Sequence, residues 1–403
     1  MTSREKVQKL LNREPVDGIV IDFGGMSSTG ISAIAYNNLV KALGLPERPA
    51  RVYDIFQQVA APDIDVIERM GGDFVQAYRM RLRFGISCKE WKPDVLADGS
   101  ACLVPSETNP VVDERGNKII MVDGVPFAKM PAGGVYYDQI AHPLESVEEV
   151  EDLDDYHPAV MQDDEVDYII REVNDLYENT DKSILFGFGG SVFEQGQRDF
   201  GFENFYCSLL VNKEMLHRYM ELTTDAYIAS LAKLLPHIQD KVDVIQFFDD
   251  LGTQQALQIS PATYREMIKP YHTKLFGYIH RNFPRLKVLL HSCGAISELI
   301  PDMVESGVDL LNPVQISAKG MDPQKLKDTY GNQIIFWGGC ADMQGFVQNT
   351  EDLQAIREHV DKLIKIFSPG GGLVFSQIHN FQFDLPPEKI LAIFDTAKKY
   401  KVS

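Results

Sequence analysis

The chain is 403 residues long, 44% of them apolar, with a net charge of −19; this buries one sizeable core and leaves no basic stripe to neutralise nucleic-acid phosphates. Its longest apolar runs are about eight residues, far short of the roughly 20 that a membrane-spanning helix needs. An odd count of five cysteines behind an amphipathic, leaderless start predicts a reducing, cytoplasmic setting and no disulfide framework.

The first residues, Met1 to Leu11, read as a short helix leading into the domain. Eight β-branched or aromatic runs follow, over residues 18–23, 72–77, 183–188, 242–250, 287–293, 308–313, 334–340 and 372–377. Near-continuous apolar runs suit strands buried on both faces, as in a parallel sheet. Helical stretches separate them. Ser260-Pro261 and Pro386-Pro387 carry N-terminal helix signals, and the stretches from Pro323 and Glu351 fit the same pattern. Strand–helix alternation repeated eight times predicts an α/β fold, a single (β/α)8 TIM barrel over residues 1–403, with an open doubly wound sheet as the alternative. From about residue 80 to 137 the rhythm breaks. Asp-Gly and Arg-Gly-Asn turns with short alternating runs predict a β-hairpin insertion after the second strand, either a wall of the site or a decoration.

The strongest chemical signal ends strand five. In His291-Ser292-Cys293 the imidazole and thiol stand two apart and share a face. Cys340 closes strand seven, another odd strand, so its side chain is expected to meet them at the barrel mouth. One nitrogen and two sulfurs suit Zn²⁺, and three protein ligands leave a position open for catalysis. Cys88, Cys102 and Cys207 have no such partners. Asp249 and Asp250 end strand four, and adjacent strand residues point opposite ways. One of them is expected at the site as a further ligand, a partner for His291 or a general acid, unless it caps the following helix. Asp22, Asn312, His379 and Asn380 extend a polar ring at other strand ends, His379 as a candidate catalyst. Phe186, Phe188, Trp337 and Phe375 are the candidate apolar lining. The glycine clusters at 187–190 and 370–372 match neither a dinucleotide fingerprint nor a P-loop.

With His291-Ser-Cys-Gly, Asn312-Pro-Val-Gln, Trp337-Gly-Gly-Cys-Ala-Asp-Met-Gln and His379-Asn in view, the chain resembles the uroporphyrinogen decarboxylase superfamily over nearly its whole length. It is most similar to the corrinoid-dependent methyltransferase branch. The resemblance implies a β/α barrel and a zinc site on His291, Cys293 and Cys340. It also implies methyl transfer from a small methylated substrate, favoured as an aryl methyl ether, to the Co(I) of a corrinoid carried by a partner protein. Two departures stand out. The arginine-rich segment with which the decarboxylases hold porphyrinogen carboxylates is replaced by Asp22-Phe-Gly-Gly-Met-Ser-Ser-Thr-Gly. The late cysteine of the coenzyme M methyltransferases lies on the last strand, where this chain has Ser376. A metal-free decarboxylase is the alternative activity, and a non-enzymatic zinc-binding relative a third. The oligomeric state is left open between monomer and homodimer.

Overall fold

The computed structural model describes residues 1–82 and 85–400, so Arg83 and Phe84 of the expected insertion lie outside it. Eight parallel strands form one sheet: β1 (Val20–Ile21), β2 (Phe74–Ala77), β3 (Ser183–Gly187), β4 (Val242–Phe248), β5 (Lys287–His291), β6 (Leu310–Asn312), β7 (Ile335–Trp337) and β8 (Leu373–Phe375). They follow one another in the order β2 to β8, and β8 pairs with β1. Each falls inside one of the eight runs read from the sequence. Asp73 brings β1 and β2 together. Its N–H donates to the Ile21 carbonyl at 2.7 Å, and its carboxylate accepts the Ile21 N–H at 2.8 Å. The nearly closed sheet is a (β/α)8 barrel.

The helix Ser3–Leu11 forms because Thr2 and Glu5 build a reciprocal capping box at its start. Its Val7, Leu10 and Leu11 pack into the barrel's inner core. Alternation sorts the strand residues. Val20, Leu185, Leu289 and Ile335 from odd strands, with Phe74, Val244, Leu310 and Val374 from even ones, make a buried apolar layer. Two residues further along, Asp22, Gln76, Gly187, Gln246, His291, Asn312 and Trp337 make the next layer, and all but Gly187 carry a polar group. The remaining strand residues, such as Ile21, Val75, Phe186 and Ile245, face the helices in a separate apolar cluster.

The additional β structure is more extensive than the sequence suggests. Trp91–Val95 and Ala101–Pro105 pair antiparallel, as do Lys118–Val122 and Val125–Met130. The second pair turns at Asp123-Gly124, both at positive φ, as a tight hairpin turn requires. The first pair joins Ala50–Asp54, Val59–Ala61 and Ile31–Ser32, from between β1 and β2, in one five-stranded sheet. Among the described residues no helix is long and apolar enough to cross a membrane.

Asp22 is fully buried and accepts three hydrogen bonds at 2.7 Å, from Trp337 Nε1, the Thr29 hydroxyl and Gly25 N–H. Burial outweighs these donors and pushes its carboxyl up to about 6. Asp22 and Trp337 therefore bind each other across the barrel instead of facing a substrate. Asp22→Ala orphans these donors, and chemical denaturation is expected to show a loss of about 2–4 kcal/mol.

Candidate metal centre

Strand β4 directs Val244, Gln246 and Phe248 inward, which turns Asp249 away from the mouth. Asp249 is fully buried. It accepts the N–H groups of Val192 at 2.9 Å and Glu194 at 2.8 Å, and pairs with His272 Nε2 at 2.7 Å. It thus anchors the start of the helix Phe193–Phe200, and the catalytic role expected of it does not fit. Asp250, just past the strand, turns to the mouth. Its carboxylate accepts the Cys293 N–H at 2.7 Å and lies 3.7 Å from His291 Nε2.

His291 ends β5 on the inward face. Its Nδ1 lies 2.6 Å from the amide oxygen of Asn312, which only accepts, so Nδ1 carries the proton and Nε2 presents a lone pair. Asn312 is itself held. Its amide nitrogen donates to the Trp337 carbonyl at 3.0 Å, and its oxygen also accepts the Ser28 hydroxyl at 3.3 Å. Gln246 donates to Ser28 in turn at 3.0 Å. His291 Nε2 is 3.4 Å from Cys293 Sγ. One ligand atom from each of Asp250, His291 and Cys293 lies within 4.8 Å of the other two.

This donor set fits zinc. Tetrahedral bonds of about 2.0–2.3 Å separate neighbouring ligand atoms by roughly 3.3–3.7 Å, the spacing of Nε2 from its two neighbours. The charges agree. Burial, with Asp250 and Glu194 alongside, pushes the Cys293 thiol well up. Burial likewise raises the Glu194 carboxyl, against the pull of Arg198, whose guanidinium is 3.3 Å away. A bound cation would favour the ionised forms of acidic groups crowded in this way.

The structure does not bring Cys340 to this group. Strand β7 ends at Trp337, and Gly338 and Gly339 follow at φ 106° and 75°, a conformation open to glycine. The turn breaks the alternation on which the expectation rested. Cys340 is fully buried in the outer apolar cluster, its sulfur 3.5 Å from the Gly338 carbonyl oxygen. Phe186, Phe188 and Phe375 also face the helices; Phe188 packs edge-on against Tyr227 at 5.5 Å. The aromatic ring that does flank His291 is Phe248, at 5.5 Å. Strand alternation from Val244 would have found it. Glu194 lies in a helix start with no local signal for a site.

His379 sits at φ 64° with its ring 6.4 Å from that of His291. Burial, reinforced by His291, lowers it to about 4, so it stays neutral near pH 7. Asn380 donates to the Gln57 amide oxygen at 3.0 Å and accepts the Gly30 N–H at 3.0 Å. His379 and Asn380 line a cavity of about 530 Å³, whose other walls include Phe56, Tyr137 and Met343.

The sequence pattern of the uroporphyrinogen decarboxylase family matches residues 129–400. The chain belongs to this family. Asp250, His291 and Cys293 all lie within the match. Among curated relatives, a uroporphyrinogen decarboxylase of Pseudoalteromonas atlantica is 22% identical over 66% of this chain and 74% of its own length. One of Alkalilimnicola ehrlichii is 23% identical over 68% and 71%. A methyltransferase from Methanosarcina mazei has the same overall fold, with a TM-score of 0.60, 16% identity and 99% of both chains covered.

His291→Ala and Cys293→Ala are each expected to lose zinc while remaining folded, by elemental analysis alongside circular dichroism. Asn312→Ala, which frees the imidazole, is expected to weaken zinc about 10- to 100-fold. Cys340→Ala should keep full zinc and cost about 1–2 kcal/mol as a packing change. Loss of zinc in Cys340→Ala would restore that cysteine as a ligand.

Proposed function

We propose that the protein is a zinc-dependent methyltransferase that passes a methyl group from a small methylated compound to the Co(I) of a corrinoid carried by a separate protein. An aryl methyl ether is the favoured donor. The observation that carries this reading is the nitrogen, sulfur and oxygen donor set of His291, Cys293 and Asp250 at the carboxyl end of the barrel, beside a cavity. The fold shared with a methyltransferase supports it.

These three residues would hold a zinc ion, which would supply Lewis acidity to a leaving oxygen. The chain's own residues do the rest. Asn312 fixes the tautomer and tilt of His291, so Nε2 needs no reorganisation. Phe248 keeps one side of the imidazole dry. Glu194, its carboxyl raised by burial against the pull of Arg198, is the acidic group that serves to protonate the departing oxygen. This gives the product-protonating role to Glu194, because Asp249 is fully engaged elsewhere and Asp250 belongs to the donor set.

Decarboxylation of a porphyrinogen is the second reading, favoured by the names of the curated relatives. A polycarboxylate meets no arginine or lysine among the described residues of the cavity lining. Anaerobic incubation with uroporphyrinogen is expected to yield no decarboxylated product, and product at enzymatic rates would overturn the methyl-transfer reading.

The direct test mixes the protein with a reduced corrinoid protein and a panel of methoxyaromatics, methylated amines and methanol, and follows loss of the Co(I) absorbance. Transfer is expected from a methoxyaromatic. Removing zinc should slow it about 100-fold or more, the loss of several kcal/mol of charge stabilisation. Equal rates without zinc would refute the Lewis-acid role. Silence across the panel with a competent partner would refute the reaction class.

A further inference from the structure

The cavity beside the metal group carries a charge pattern that selects its occupant. Four separate segments wall it, and three of them are tied to one another. Tyr137 N–H donates to the Phe56 carbonyl at 3.0 Å, and the two rings lie 5.9 Å apart. The Tyr136 hydroxyl donates to the Gln382 amide oxygen, which joins the additional β structure to the loop after β8. Asn380 holds Gln57 from the other side. The site is thus a defined space about 530 Å³ in volume, large enough for a substituted aromatic ring.

Its polar lining is almost wholly neutral. Gln57, Gln344, Gln348, Gln382 and Asn380 offer amides that donate or accept, and Tyr136 and Tyr137 offer phenols. Among the described residues no arginine or lysine lines it, and its one formal charge is the carboxylate of Asp138 at the rim. An anionic group entering here gives up water without gaining a cationic partner, next to Asp138 and inside a protein of net charge −19. A hydroxylated or methoxylated ring loses little, because amides replace water at its oxygens and Phe56 and Tyr137 cover its faces. A cationic substituent is also accommodated, by the carboxylate and the aromatic rings.

We infer that this cavity holds the methyl donor and selects against anionic donors, so that its substrate class is a methoxylated aromatic without carboxylate, sulfonate or phosphate. The inference rests on the methyl-transfer reading for the word donor, and on the cavity alone for the selection by charge.

The test is calorimetric titration of the zinc-loaded protein, without corrinoid, with three matched probes: para-methoxyphenol, para-methoxybenzylamine and para-methoxybenzoate. The phenol and the amine are expected to bind, and the benzoate about tenfold more weakly or worse. Gln344→Lys and Gln348→Lys place a cation at exposed positions of the wall, and each is expected to raise benzoate affinity above that of the amine. Benzoate binding as tightly as the phenol to the unaltered protein would overturn the inference. So would lysine variants that leave benzoate unchanged, or no measurable binding of any probe. Binding is read without cobalt, so a failure of methyl transfer leaves this result standing, and a failure here leaves the transfer assay to speak for itself.

Discussion

Side chains two apart on a strand share a face, and a closed barrel leaves room for only a few inward positions on each strand. In this chain the lower inward position is apolar on all eight strands. The position above it is polar on six of the first seven, with Gly187 the exception. That single constraint produces a ring of buried polar groups beneath the mouth, and a buried polar group must be partnered. Asp22 and Trp337 satisfy each other across the barrel. Gln246, Ser28 and Asn312 form a chain of hydrogen bonds that ends on His291 Nδ1. The free lone pair of His291 Nε2 therefore follows from the need to satisfy the ring. The ring is not fully satisfied: the amide oxygens of Gln76 and Gln246 are buried without a protein donor, on either side of Gly187.

The same alternation explains what could be read from sequence and what could not. All eight strands were legible because continuous burial on both faces leaves a continuous apolar run. His291 was legible because it continues the face of Leu289, and Cys293 because the chain keeps that direction just past the strand end. Cys340 was misplaced because two positive-φ glycines follow Trp337, and periodicity fails once the strand has ended. Phe186 and Phe188 were misplaced for another reason. An aromatic residue near a strand end looks like a pocket wall, yet the parity set by Leu185 sends both outward to the helices. The strand Ala50–Asp54 escaped notice because its pairing with Ala101–Pro105 is long-range and leaves no local mark, and its neighbour Val59–Ala61 is too short to show a pattern.

Asp249 and Asp250 show how sharply one peptide unit can divide roles. Asp249 has its oxygens taken by two backbone N–H groups and His272, an arrangement that fixes the helix start carrying Glu194. Asp250 is partly open to solvent and within reach of the imidazole and thiol. The first carboxylate thus places the second acidic partner of the site, although it touches nothing reactive itself. The arrangement couples fold to chemistry through Glu194, whose N–H Asp249 holds and whose carboxyl is raised by burial next to both aspartates.

Membership of the uroporphyrinogen decarboxylase family establishes ancestry and fold, while the chemistry has to be argued from charge. A decarboxylase for a polycarboxylate must spread cations over its pocket. Among the described residues the pocket wall is amide and phenol, and the acidic groups Asp250, Glu194 and Cys293 converge beside it, the last two pushed up in pKa by burial. Such a mouth repels an acidic substrate and attracts a divalent cation. Once a cation is bound, the strongest remaining attraction is for an electron pair on oxygen that can fill an open coordination position. A neutral ether oxygen on a flat ring meets every one of these conditions without bringing a charge that the walls cannot balance. The electrostatics of the mouth therefore favour methyl transfer over decarboxylation on grounds independent of any relative's name.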